Sequence, residues 1–177
     1  MTIETKRLLL REMTEEDFNA LYQVLADSDI MQHYPYVFDE GRVRNWITRN
    51  RERYQIFGFG LWAVVLKQTG EMIGDCGLTM QKIGETIKPE IGYHIRKDQQ
   101  RKGYAKALIE FLVEKYRGQF SILQVGTGDS PLTIPFYEKC GFVRSHTVPN
   151  FFTDHYDHPI YECGVHLVDM VYLQRPL

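Results

Sequence analysis

Gln100-Arg101-Lys102-Gly103-Tyr104-Ala105 stands between a strand-like run and an amphipathic helix, and its reading decides the fold. Upstream, Glu90-Ile91-Gly92-Tyr93-His94-Ile95 alternates as a strand does. Downstream, Ala105, Leu108, Ile109, Leu112 and Val113 fall on one face of a helix that begins near Gly103. At the head of such a helix the first backbone N–H groups have no intrahelical partner and converge on one place. With the helix dipole behind them they make an anion site suited to a pyrophosphate. Gly103 lets the backbone approach the phosphates, Ala105 keeps that approach open, and Arg101, Lys102 and Lys106 add positive charge. On spacing alone, an exposed basic loop before an ordinary helix is an equally good reading.

The rest of the chain supplies the setting. Arg7-Leu8-Leu9-Leu10-Arg11 reads as a short buried strand, and Thr14-Glu15-Glu16-Asp17 as a capped helix start leading through Phe18, Leu21, Tyr22 and Leu25. Asp39 to about Tyr54 carries Val43, Trp46 and Ile47 at helical spacing. Gly60–Leu66 and Met72–Thr79 form a hairpin across Lys67-Gln68-Thr69-Gly70-Glu71. Beyond the central helix come a strand at Ile122–Val125 and a helix that opens at Asp129-Ser130-Pro131 and stops at Gly141. Strands at Phe142–Arg144 and Leu167–Leu173 follow, joined by an irregular loop. The pattern is a mixed α/β layer, expected as one domain over residues 1–177.

Bulk composition excludes several classes. The 177 residues carry 21 basic and 23 acidic side chains, a net charge of −2, which argues against a nucleic-acid-coating surface. Cys76, Cys140 and Cys163 are scattered with no CxxC pair, so reduced thiols are the simpler reading. No apolar run approaches the about 18 residues of a spanning helix. The N-terminal stretch Met1–Arg7 has no apolar segment with a cleavage site. A cytoplasmic protein without membrane or nucleic-acid partners is expected.

Ile95 to Ala105 resembles the coenzyme-A-binding motif of the GNAT superfamily of N-acetyltransferases, where a strand residue precedes Gln/Arg-x-x-Gly-x-Gly/Ala by five positions. Thr69-Gly70-Glu71-Met72-Ile73-Gly74, in the hairpin from Trp62 to Leu78, is similar to the branch that acetylates ribosomal-protein N-termini. Pro135-Phe136-Tyr137-Glu138-Lys139-Cys140-Gly141-Phe142 is similar to the family's terminal helix motif. Lys106 stands where the family often has Ser or Thr, and Ala105 where Gly is more usual.

The resemblance implies a mixed, mostly antiparallel central sheet of six to seven strands, flanked by helices and splayed at its centre near Ile95. It implies acetyl-CoA as co-substrate, held by Gln100, Arg101, Lys102, Gly103, Tyr104, Ala105 and Lys106. Backbone groups of His94 and Ile95 pair with the pantetheine arm, and Asp129, at a position where relatives often carry Asn, meets it from the other side, as Thr127 also could.

Acetyl transfer to an amine needs a neutral amine, a polarised thioester and a protonated leaving thiolate. An alkyl amine has a pKa of about 10, so a group must accept its proton, directly or through water. Tyr137, at the family's tyrosine position, is the candidate acid; a core tyrosine beside Phe136 and Phe142 is the bland alternative. Alternation puts Glu90, Gly92 and His94 on one strand face. Glu90 is the leading base candidate, in competition with a plain surface glutamate, and His94 and Asp75 follow.

The segment Phe151-Phe152-Thr153-Asp154-His155-Tyr156-Asp157-His158-Pro159 is dense in His and carboxylate, yet it lacks HxxxH or HExxH helical spacing. No metal is expected. A lid contributing Phe152, Asp154 and Tyr156 to an acceptor site is the functional reading, with the aromatic cluster of Tyr34, Tyr36, Phe38 and Trp46 as opposing wall; aromatic core is the alternative. The acceptor is then a small-molecule amine or a peptide N-terminus. A homodimer through the apolar Leu167–Leu173 strand is compatible with the sequence. Two other classes stay open: a non-catalytic acetyl-CoA-binding regulator, and a generic α/β interaction domain.

Overall fold

Asp39 illustrates how local signals place the elements. Its carboxylate accepts from the Arg42 backbone N–H at 2.8 Å, and Gly58, at φ 73°, closes the same helix. The computed structural model describes residues 3–83 and 86–177. Met1 and Thr2, which begin the N-terminal stretch read above, lie outside the described residues. In chain order come β1 (Ile3–Glu4), β2 (Leu8–Arg11), α1 (Phe18–Leu25), α2 (Glu40–Phe57), β3 (Leu61–Leu66), β4 (Met72–Ile83) and β5 (Thr86–Ile95). Then follow α3 (Tyr104–Tyr116), β6 (Ile122–Gly128), α4 (Thr133–Lys139), β7 (Val143–Val148) and α5 (Phe151–His155). The chain ends on β8 (Tyr161–Glu162), β9 (Val165–His166) and β10 (Met170–Pro176).

The chain divides into two compact units, residues 1–79 with 91–111, and residues 80–90 with 112–177. In the first, β1, β2, β3 and β4 follow one another as antiparallel neighbours. The core is built from Leu21 and Leu25 of α1, Val43 and Ile47 of α2, and the alternating Leu61, Ala63 and Val65 of β3. Asn50, fully buried on α2, accepts from the Leu61 backbone N–H at 2.9 Å and donates to the Trp46 carbonyl at 2.9 Å, which pins the helix to the start of β3.

Pairing of β3 with β4 slips between Val64 and Val65, because Val64 faces Gly74 while Val65 faces Met72. Ile73 is the extra residue of a β-bulge, and its carbonyl accepts from the Arg96 N–H at 2.9 Å. Beside it Gly74 has φ 154°, and a Cβ there would lie 1.9 Å from the His94 carbonyl oxygen. Only a residue without a side chain lets β4 come this close to β5, and the approach sets Asp75 next to His94.

In the second unit β10 lies between β6 and β7, antiparallel to both, and β5 meets β6 in parallel with Glu90 opposite Gln124. The mixed, mostly antiparallel sheet flanked by helices that the resemblance implies is present, with the two-residue β1 as an added edge strand.

Three local expectations are corrected. The helix read from Ser130-Pro131 starts at Thr133, because the Ser130 hydroxyl takes the Leu132 and Thr133 N–H groups at 3.2 and 3.3 Å and holds the first residues in a turn. The last strand starts at Met170 rather than Leu167, whose N–H donates to the Ile160 carbonyl at 2.9 Å and whose side chain packs with Phe152 and Ile160. The irregular loop holds α5 and a two-residue hairpin, β8–β9, turned by Cys163 and Gly164 at φ 51° and 79°.

Gly74→Ala is expected to force β4 and β5 apart and to cost about 3 kcal/mol. The drop in the urea midpoint against wild type measures it.

Candidate active site

The loop between β5 and α3 leaves the strand at Ile95 and is closed by its own side chains. Gln100 Nε2 donates to the Ile95 carbonyl at 2.8 Å, tying the loop back to the strand end. Arg96 donates to Asp98 at 2.6 Å and Glu71 at 2.7 Å; the guanidinium pushes the Asp98 carboxyl down to about 2, and the two acids raise the Arg96 value in turn. Arg101 and Gly103 both have positive φ, 60° and 78°, so the backbone turns twice before α3 begins. Such turns aim successive N–H groups at one concavity. Arg101, Lys102, Gly103 and Lys106 are exposed, while Tyr104 and Ala105 are half-buried.

Arg7 completes the loop from 95 residues away. Its guanidinium donates to the Lys102 carbonyl at 2.8 Å and lies 4.5 Å from the centroid of the Tyr104 ring. A second cation, Lys102, donates to the Gln99 side chain at 2.9 Å.

Within the same unit a buried polar chain runs across the bulge. Asp75 is fully buried, and its two oxygens face Trp46 Nε1 at 2.8 Å and His94 Nδ1 at 2.7 Å. On the far side of the imidazole, Nε2 is 3.1 Å from the Tyr34 hydroxyl. The ring of Tyr34 also meets Tyr36, Phe38 and Trp46 edge-on, so the aromatic cluster read from the sequence forms.

In the second unit Glu90 is half-buried and accepts from Gln124 Nε2 at 3.3 Å. Burial pushes the Glu90 carboxyl up to about 7, against the smaller opposing effect of Gln124. The Gln124 amide oxygen, fully buried, finds no hydrogen-bond partner among the described residues. Burial, and then the Glu90 charge, push Tyr172 up to about 12, and its ring stacks on His146 at 4.7 Å.

Tyr137, on α4, is 6% exposed and packs edge-on against Phe136 and Phe142. Exposed Asp129 pairs with Arg144 at 3.0 Å, so its charge is already met. Phe152 is buried, Tyr156 half-buried 5.6 Å from it, and Asp154 exposed. A pocket of about 280 Å³ opens here, lined among others by Phe152, Tyr156, His158, Ile160 and His166. Among the described residues no group of three or more His, Cys, Asp and Glu side chains is placed to hold a metal ion.

The structure therefore joins Gln100 to Ile95, and His94 to Asp75 and Tyr34, while Asp129 is engaged by a neighbouring arginine. Sequence reasoning missed Arg7 and Gln124. Arg7 carried no signal, but Gln124 did: it is a polar side chain in an otherwise apolar strand, Ile122-Leu123-Gln124-Val125.

Residues 7–126 and residues 91–171 each match an acetyltransferase (GNAT) domain family. Protein YkkB of Bacillus subtilis is 34% identical over 58% of this chain, and the match spans 60% of that relative's own length. An acetyltransferase of Bacillus subtilis solved in complex with CoA is 25% identical, with a TM-score of 0.64 over 97% of this chain and 98% of that one. RimL, a ribosomal L7/L12 alpha-N-protein acetyltransferase solved with coenzyme A, has the same fold, with a TM-score of 0.76 at 19% identity over 100% and 98% of the two chains. With one of these domain matches running across more than half of its length, the chain belongs to the GNAT acetyltransferase family.

Proposed function

We propose that this chain is an acetyl-CoA-dependent N-acetyltransferase, one domain over residues 1–177, that passes an acetyl group to a primary amine by direct attack. One observation carries the reading: the doubly turned loop Gln100–Lys106 at the head of α3, where a helix's first N–H groups have no intrahelical partner, carries Arg101, Lys102 and Lys106. That is a seat for a pyrophosphate. The CoA complex of the Bacillus subtilis relative supports the same cofactor. Backbone groups of His94 and Ile95 receive the pantetheine arm in this reading. Asp129 meets it as one half of an ion pair with Arg144, and not as a bare anion.

Glu90 takes the proton that the nitrogen sheds on attack, and Tyr137 gives one to the departing thiolate. A carboxyl raised to about 7 is matched to that task at neutral pH. Backbone N–H groups at the end of β5 stabilise the oxyanion. Tyr34, Phe152, Asp154 and Tyr156 contribute to the acceptor side, which takes a small-molecule amine or a peptide N-terminus. RimL, named for a protein N-terminus, supports the second of these. No helix among the described residues is long and apolar enough to cross a membrane, and we place the activity in the cytoplasm.

Thiol release from acetyl-CoA, screened against amines and N-terminal peptides, tests the reading. Turnover with any acceptor supports it; saturable acetyl-CoA binding without turnover transfers the case to a non-catalytic regulator.

Gly103→Ala places a side chain at φ 78°. Left-handed backbone costs a non-glycine residue about 1–2 kcal/mol, so CoA affinity in calorimetry is expected to fall about tenfold.

Glu90 works ionised, so kcat/KM is expected to fall as pH drops below about 7, and Glu90→Gln to remove that limb. Stability runs the other way. The folded value is raised from 4.5 to about 7, so the stability that burial of the neutral carboxyl contributes is fully present below 4.5 and is lost as pH rises through 7. Urea titrations of Glu90→Gln against wild type are expected to diverge in the variant's favour above that window.

A further inference from the structure

We propose that Tyr34, His94 and Asp75 form a proton relay that neutralises the acceptor's ammonium before it attacks the thioester. The proposal rests on the acetyl-transfer reading above and adds a step to it. An ammonium loses two protons on its way to an amide, one to become a nucleophile and one on attack. Glu90 accounts for the second.

The chain of hydrogen bonds has a direction. Indole N–H is a donor only, so Trp46 commits one Asp75 oxygen as an acceptor at 2.8 Å. A carboxylate accepts with its other oxygen too, so the hydrogen between Asp75 and His94, 2.7 Å apart, sits on Nδ1. Nε2 of that tautomer is an acceptor, and the Tyr34 hydroxyl donates to it across 3.1 Å. Asp75 is fully buried and the His94 side chain is 11% exposed, while Tyr34 at the outer end is half-buried. Proton entry is therefore through the phenol.

In the relay step an ammonium N–H bond breaks and its proton binds Tyr34 Oη. Tyr34's own proton passes to His94 Nε2. The amine is left neutral, the tyrosine is neutral again, and the positive charge has moved to an imidazolium facing the Asp75 carboxylate. Water takes the proton by the reverse path once the amide has formed. The groups that face the imidazole are Asp75 from β4, the neutral indole of Trp46 from α2 and Tyr34 from the segment between α1 and α2. Arg53 of α2 is a cation electrostatically coupled to Tyr34.

Two acceptors separate this role from a structural one: an alkylamine, protonated at neutral pH, and an arylamine, neutral there. His94→Gln and Tyr34→Phe are expected to lower kcat/KM near neutral pH by about 100-fold more for the alkylamine than for the arylamine. Raising the pH toward the alkylamine's own pKa restores the variants. Nitrogen-15 spectra of the labelled histidines in wild type are expected to show His94 protonated at Nδ1 alone. Equal losses with both amines, or a proton found on Nε2 alone, overturn the relay while thiol release still upholds the acetyl-transfer reading. Wild-type silence toward every amine overturns both. Tyr34→Phe keeps the ring and its packing, so the comparison stands even where an imidazole variant misfolds.

Discussion

A carboxylate sealed from water is tolerated only when donors meet both of its oxygens, and Asp75 meets that condition through one contact from a helix and one from the neighbouring strand. Removing either donor leaves charge in an apolar interior, so the two elements are not free to drift. Trp46 thereby fixes the rotation of α2 over the sheet, and His94 fixes the register of β5 against β4. The bulge at Ile73 and the missing side chain at Gly74 are the backbone's accommodation of the same demand.

Chemistry on β5 inherits that rigidity. The carbonyl of Ile95 is held by Gln100, and the residue before it is held by Asp75. Any ligand that paired with this strand end would meet a backbone already set, with little ordering left to be done on binding. Glu90 lies on the same strand in a different setting. It is half-buried beside a glutamine, and burial raises its affinity for a proton. One strand thus carries two acid–base environments, one made by pairing and one by desolvation.

Much of this was legible in the letters, and the gaps have physical causes. The loop Gln100–Lys106 could be read because its signal is local: glycine, helix start and positive charge lie within seven residues. Helices α2 and α3 could be read because burial imposes a period on them. The start of α4 was misplaced because a serine hydroxyl, indistinguishable in sequence from a helix cap, holds a turn instead. Hairpin β8–β9 stayed hidden because Cys163 occupies a left-handed position that the sequence marks only with the glycine after it. Asp75 and His94 were each noticed, but their contact depends on a bulge and on strand pairing, and no spacing rule spans nineteen residues of that kind.

Arg7 reaches across the first unit to the carbonyl just ahead of Gly103, and this links two events that are far apart in time. During synthesis Arg7, just ahead of β2, emerges long before the loop it supports, so its guanidinium waits without that partner while some ninety further residues are added. The loop ahead of α3 is therefore completed late, by a side chain made early. An amide-exchange footprint of the bound form would then protect β2 and the start of α3 as one group, although they share no hydrogen-bonded ladder.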